Sequence, residues 1–336
     1  MPIADILGAP HAYNFVPSAA ADVSLTGVLS PGATHRKGSH TQTAKTSLVF
    51  IHGWLLSQSY WQPLVSQLSP DFSCLTYDMR GFGESLSKAS LTQTAAPASA
   101  KATRDVVLPP HKTWYPQNLD AQQLYSVSAY SLAAYAHDLS LLLDQLALDN
   151  VWLVGHSLGG SVALWAAYLF PDRVKGVICL NAGGGIYIPK EFEKFRSAGQ
   201  QMVKYRPAWL PKVPLLPSLF SRVMVHKTLA VKWGRQRLED FVGADKAAAE
   251  GALLESTTGE EVHQLPKLVG QLTQRVHFIT ATQDTVMLPR YVNYLASFHP
   301  QFVAGEMVSE IPDCGHMAMV EQPKAVADII SRVLLD

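Results

Sequence analysis

The residues best suited to chemistry lie at Gly155-His156-Ser157-Leu158-Gly159, a Gly-x-Ser-x-Gly pattern that follows the apolar run Val151–Val154 and precedes a helical pattern. A serine on so tight a strand-to-helix turn stands clear of its neighbours, and small residues are needed at Gly155 and Gly159, where side chains would meet adjacent backbone. The helix expected over about 158–169 directs its positive N-terminal end at charge developing near Ser157. The plain alternative is a glycine-rich turn with an incidental serine, and the strand and helix on either side argue against it.

A serine hydroxyl is a poor nucleophile until a base takes its proton, and that base must itself be oriented. Of the 12 histidines, His316 stands out in Ile311-Pro312-Asp313-Cys314-Gly315-His316, a loop between a strand-like run and the last helical pattern. Two acids compete to orient it. Asp284 closes Thr280-Ala281-Thr282-Gln283-Asp284, just past the strand that starts at Val276, where α/β-sheet sites gather. Asp313 is only three residues from His316, suited to capping a local turn, and ranks second. Leu180 is followed by Asn181 and glycines, so that position donates no acid.

Acyl chemistry also requires donors for an oxyanion. Val49-Phe50-Ile51-His52-Gly53-Trp54 is a strand ending in His-Gly before a loop, and the expected donors are the backbone N–H groups of Trp54 and Leu158. Losing one such donor costs roughly 2.7–4 kcal/mol at the transition state. His52 and Gly53 shape this loop, as His156 and the two glycines shape the serine turn.

These groups need a scaffold. Short apolar runs at Leu48–Ile51, Cys74–Tyr77, Val151–Val154, Val177–Leu180 and Val276–Ile279 alternate with helical spacing, the pattern of β-α units and a parallel sheet. Leu139, Leu142, Leu143 and Leu146 predict a helix over 130–147, and 322–335 reads similarly. Three stretches break the alternation. The tract 34–46 reads as a solvated loop, the low-complexity segment 86–125 as a long loop ending near Trp114-Tyr115-Pro116, and 186–272 as an inserted helical cap.

Together, His52-Gly53-Trp54, Asp78-Met79-Arg80-Gly81-Phe82-Gly83-Glu84-Ser85, Gly155-His156-Ser157-Leu158-Gly159-Gly160, Asp284 and Gly315-His316 resemble the α/β-hydrolase superfamily across nearly the whole chain. The resemblance implies an eight-stranded, mostly parallel sheet flanked by helices, with the cap inserted after the sixth strand. The core is then 1–185 and 273–336, and the cap is 186–272. It also implies the chain order Ser157, Asp284, His316 for a catalytic triad, and structural roles for Asp78 and Arg80. Dehalogenase and epoxide hydrolase relatives carry an aspartate where this chain has Ser157, which disfavours those reactions. The segment 86–125 is longer than the usual connection there, and the cap matches no substrate-specific subgroup.

The implied reaction is hydrolysis of a carboxylic ester or thioester through an acyl-enzyme on Ser157, with C–C or amide hydrolysis as alternatives on the same triad. It needs neither metal nor organic cofactor, and the chain has no Cys-x-x-Cys pair, His-Glu-x-x-His helix or Gly-x-x-x-x-Gly-Lys loop. A noncatalytic receptor on this fold is the reading from another class; the intact Ser, Asp and His positions speak against it.

Composition sets the remaining bounds. Hydrophobic residues are 48% and charged residues 16%, as in an ordinary globular enzyme, and 27 basic residues balance 27 acidic ones, so nothing points to nucleic acid. Cys74, Cys179 and Cys314 read as reduced, buried thiols, and with no run of roughly 18 apolar residues the expected location is cytoplasmic. The cap is rich in apolar and aromatic residues, among them Phe192, Phe195, Tyr205, Trp209, Phe220 and Trp233. A hydrophobic or lipid-like ester is therefore expected, with Trp209 and Phe220 as candidate substrate contacts. From Lys190 to Arg237 eleven Lys or Arg face two acids. That excess suits either peripheral contact with an anionic substrate or lipid surface, or a solvated helical face balanced elsewhere.

Overall fold

Strands of this chain that are buried on both faces are nearly continuous runs of apolar residues, and they pair in parallel. In a computed structural model that describes residues 1–19, 46–86, 128–185, 187–303 and 305–335, these are β3 (Ser47–Ile51), β4 (Ser73–Tyr77), β5 (Val151–His156), β6 (Val174–Leu180) and β7 (Arg275–Ala281), and the more exposed β8 (Val308–Ile311) continues the parallel pairing at the edge. Two antiparallel strands, β1 (Ile3–Ile6) and β2 (Ala9–Val16), extend one edge and give an eight-stranded sheet of order β1-β2-β4-β3-β5-β6-β7-β8. The hairpin between them turns through Leu7 and Gly8, both at positive φ (53° and 77°), as a two-residue turn matched to strand twist requires.

The sheet divides the core into two layers. Leu48, Phe50, Val154, Ile178 and Leu180 pack on α1 (Gln62–Leu68) and on the C-terminal helix (Pro323–Leu335). Their alternates Val49, Ile51, Leu153, Val177 and Cys179 face α2 (Leu132–Gln145) and α3 (Leu158–Leu169). Helix α2 occupies the stretch expected from its leucine spacing, and the Ser131 hydroxyl caps it by accepting from Ala134 N–H at 3.1 Å.

Between β6 and β7 lie α4 (Pro189–Lys204), α5 (Leu216–Phe220), α6 (Val231–Gly243), α7 (Lys246–Ser256) and α8 (Gly259–Val269), with a 3₁₀ turn at Leu210–Lys212. This insertion touches the loops that leave the carboxyl ends of the strands. Trp54 Nε1 donates to Ala249 O on α7 at 2.8 Å, and Ser57 Oγ donates to Asp240 Oδ2 on α6 at 2.9 Å. Val203 of α4, Phe241 of α6 and Ala248, Ala249 and Ala252 of α7 join the core on this side, and Leu265, Leu268 and Val269 of α8 join it beside α3 and against α9 (Pro289–Ala296). After β8 come α10 (Ala318–Glu321) and α11, the C-terminal helix. Apart from Thr46 and Leu86, the tract 34–46 and the segment 86–125 lie outside the described residues. No helix among the described residues is long and apolar enough to cross a membrane.

Candidate active site

Ser157 occupies the turn between β5 and α3 at φ 52° and ψ −120°, a strained conformation for a residue with a side chain. Close packing holds the turn. A Cβ on Gly155 would lie 2.3 Å from Gly159 O, and one on Gly159 would lie 2.2 Å from Ile51 O. Because Ile51 pairs in register with Gly155, the ends of β3 and β5 lie side by side, and the loop after β3 runs past the serine.

That loop turns tightly through Leu55 at φ 56°, with Leu56 N–H bonded to Gly53 O at 3.3 Å. The N–H groups of Trp54 and Leu158 have no acceptor among the described residues; Leu158, at the start of α3, has no intrahelical partner to offer. Both residues line the same cavity as Ser157. His52 is committed to the loop: Nδ1–H donates to Gly53 O at 2.8 Å, and Nε2 accepts from Met79 N–H at 3.0 Å. Burial holds its pKa below the ordinary imidazole value, which keeps it neutral.

His316 and Asp284 meet by their side chains, with Nδ1 of the ring 2.8 Å from Oδ2 of the carboxylate. Asp284 also accepts from Asn181 Nδ2 at 2.8 Å through Oδ2, and from the N–H groups of Val286 (2.8 Å) and Met287 (2.9 Å) through Oδ1. Burial alone would raise this carboxyl, but the His316 charge and these hydrogen bonds outweigh it and hold its pKa below the usual range. Asp313, the second candidate, is exposed at φ 50° and donates its N–H to Thr282 Oγ1 at 3.2 Å. The structure pairs His316 with Asp284.

The base loop and the serine turn are joined through His156, whose Nε2 lies 2.8 Å from His316 O. A carbonyl only accepts, so Nε2 carries the proton. Burial, reinforced by the His316 charge, lowers the pKa of His156 to about 3, so it stays neutral at any working pH. The far side of the loop is tied to the insertion, with His316 N–H donating to Met224 O at 2.9 Å.

The cavity beside Ser157 is an open cleft of roughly 660 Å³, solvent space included. Its apolar walls come from Phe192 and Phe195 of α4, Leu253 of α7, and Val286 and Met287 after β7; Ser161, Ser256 and Thr257 add hydroxyls. Trp209 and Phe220, the candidate contacts from sequence, do not line it, which corrects that expectation. Trp209 is largely exposed, and Phe220 packs on Phe241 with ring centroids 6.4 Å apart. Phe220 sits on the short α5, which packs against α6 rather than over Ser157. Asn181 was missed as a functional residue; its one sequence signal is a polar side chain directly after a buried strand.

The Asp78–Ser85 turn is structural in its contacts. Asp78 accepts from Gln58 N–H (2.6 Å) and Glu84 N–H (3.0 Å), and Arg80 forms an ion pair with buried Asp138. All three cysteines are free and buried, and burial pushes Cys74 and Cys314 up to about 12. No group of three His, Cys, Asp or Glu able to hold a metal occurs among the described residues.

The sequence profile described as "alpha/beta hydrolase fold" matches residues 46–224, more than half of the chain. The chain belongs to the alpha/beta hydrolase family. Within this family, an uncharacterised Mycobacterium tuberculosis protein, Rv2715, is 28% identical over 214 residues, 61% of this chain and 62% of that protein. This hydrolase-family chain therefore matches less than two thirds of that relative's length. The 2-succinyl-6-hydroxy-2,4-cyclohexadiene-1-carboxylate synthase of Enterobacter sp. is 24% identical over 85% of this chain and 91% of its own. A pimeloyl-[acyl-carrier protein] methyl ester esterase of Photobacterium profundum is 29% identical over 41% of this chain and 37% of its own. Among solved structures, a thermophilic esterase from Thermogutta terrifontis superposes with a TM-score of 0.64 at 18% identity, covering 97% of this chain and 93% of that one, a likeness of fold.

Proposed function

We propose that this protein is a serine hydrolase that cleaves a carboxylic ester or thioester of a hydrophobic, lipid-like compound through an acyl-enzyme on Ser157. One observation carries the reading: the strained turn presents Ser157 to a cavity shared with the unpaired N–H groups of Trp54 and Leu158, while the loop bearing His316, which pairs with Asp284, is bonded to the residue before the serine. In this reading His316 Nε2 takes the Ser157 proton, Oγ attacks the carbonyl carbon, and the two N–H groups hold the oxyanion. The proton returns to the departing alcohol or thiol, and water activated by His316 then releases the acid. Asp284, held ionised, keeps the proton on Nδ1 and leaves Nε2 free to act as base. The apolar walls favour an apolar acyl or alcohol group. The kinship with an esterase supports an ester substrate. The kinship with a cyclohexadiene-carboxylate synthase supports a second reading, in which the same serine and histidine handle a non-ester substrate.

Fluorophosphonate labelling followed by peptide mass spectrometry tests the nucleophile whatever the substrate is. Modification at Ser157, absent in Ser157→Ala and weakened in His316→Ala, is expected; no labelling of folded protein refutes the triad. A labelled enzyme that turns over no ester or thioester across a chain-length series moves the assignment to the second reading.

A further inference from the structure

The insertion carries a run of exposed apolar side chains that the cavity does not use. Trp209 is 59% exposed, Leu215 83% and Leu219 58%, and Met202, Tyr205 and Val223 stand beside them in the chain with large exposed side chains. Leu215 also takes the left-handed conformation (φ 67°). A branched side chain held there at a cost, yet pointing almost wholly into solvent, gains nothing from the interior that would offset the strain.

This patch is displayed on a rigid base. A Cβ on Gly234 of α6 would lie 1.8 Å from Pro217 O, so α5 rests directly on that helix. Buried Arg237 spends its guanidinium on Phe220 O (3.2 Å) and Val223 O. Pro207, Pro211, Pro214 and Pro217 limit the backbone further.

Charge along this stretch of chain has one sign, although Glu321 reaches it from outside to accept from the N–H groups of His226 and Lys227. The chain has no acid from Lys194 through Leu238. Lys204, Lys212, Arg222, Lys232 and Arg235 are exposed, and none of these five pairs with a carboxylate among the described residues. The whole chain is neutral, so positive charge is concentrated here rather than in general excess.

We infer that residues 202–235 form a docking face for an anionic lipid bilayer, seating Trp209, Leu215 and Leu219 among the headgroups while the surrounding cations meet lipid phosphates. Projecting apolar tips carried on one segment with exposed cations that no carboxylate neutralises match a surface that is apolar beneath and negative above. A second copy of this chain fits less well, because a two-fold contact would set the same cations against each other. Helix α4 carries both the cavity residues Phe192 and Phe195 and, at its end, Met202 and Lys204. A docked protein therefore holds one wall of its cavity at the bilayer. Docking does not depend on the ester chemistry, and Ser157→Ala retains it.

Cosedimentation of the full chain with phosphatidylcholine vesicles, with and without phosphatidylglycerol, tests the assignment. Two variants accompany the wild type, Trp209→Ser/Leu215→Ser/Leu219→Ser and Lys204→Glu/Lys212→Glu/Arg222→Glu, each checked for unchanged melting temperature and Ser157 labelling. The wild type is expected to bind the phosphatidylglycerol vesicles, and each triple variant to lose at least about tenfold in binding. No binding by the wild type, binding indifferent to phosphatidylglycerol, or full binding by both variants overturns the proposal. So does a concentration-dependent dimer that the serine variant abolishes, since it gives the patch to a second copy.

Discussion

His156 donates its Nε2–H to the backbone carbonyl of His316 across 2.8 Å, so the residue before the candidate nucleophile holds the backbone of the candidate base. The bond spans 160 residues of sequence, and the two rings lie 4.7 Å apart between centroids. Loss of this donor should loosen His316 without removing any reacting group. In His156→Phe, kcat on an ester substrate is expected to fall on the order of 10- to 100-fold with KM little changed, as for a base displaced by a fraction of an ångström. Because His156 titrates near 3, its loss should leave the pH profile above pH 4 unchanged in shape. A new ionisation in that profile would contradict the neutral role.

Asp284→Asn should reduce kcat by about 10⁴-fold while leaving the protein folded. The amide would face Nδ1 of His316 with a donor and favour the tautomer that places the proton on Nε2, where a base is needed. Asp284 has a depressed pKa, so its ionised form favours folding above the unfolded carboxyl value, and that contribution is lost as pH falls through the folded value. Acid titration of melting temperature should show wild type losing more stability than Asp284→Asn below about pH 4.

Asp240 behaves in the opposite sense. Burial raises its carboxyl to about 7, against the hydrogen bonds from Ser57 and Gln236. Its protonated form favours folding; that stability is complete below about pH 4 and disappears as pH rises through about 7. In Asp240→Asn the drop in melting temperature from pH 5 to pH 8 should shrink by on the order of 5 °C. An unchanged drop, measured by differential scanning fluorimetry in matched ionic strength, would exclude Asp240 as its source.

Gly159→Ala should be among the most damaging small substitutions, because the new methyl meets the Ile51 carbonyl, a backbone atom that β3 holds in register on both sides. A loss of more than about 3 kcal/mol is expected in urea unfolding. Gly243→Ala is the control: its Cβ meets nothing within 4 Å and should cost little.

Much of this architecture was legible because burial on both faces leaves a chemical trace. The runs beginning at Leu48, Val151 and Val177 could hardly be anything but interior strands, and the leucine spacing of α2 marked its sheet-facing side. The hairpin β1–β2 was not legible. It is an edge pair with Pro10 and His11 in the second strand and only four of its twelve residues buried, so its pattern is weak. The serine turn could be read from local spacing, since close backbone approach demands glycine at fixed positions beside Ser157. Asn181 could not, because its value depends on Asp284 standing beside it, 103 residues on.

The aromatic residues of the insertion show where the division falls. Sequence alone determined that the segment is apolar, basic and rich in proline, and that Ser157, Asp284 and His316 occur in an order able to act together. Only the tertiary structure decided that Phe192 and Phe195 turn toward the serine while Trp209, Leu215 and Leu219 face solvent, and that Asp284 rather than Asp313 meets the histidine. Residue type sets what a side chain can do at short range. Which groups come within that range depends on packing across the sheet and between helices, where residues far apart in the chain compete for the same few ångströms.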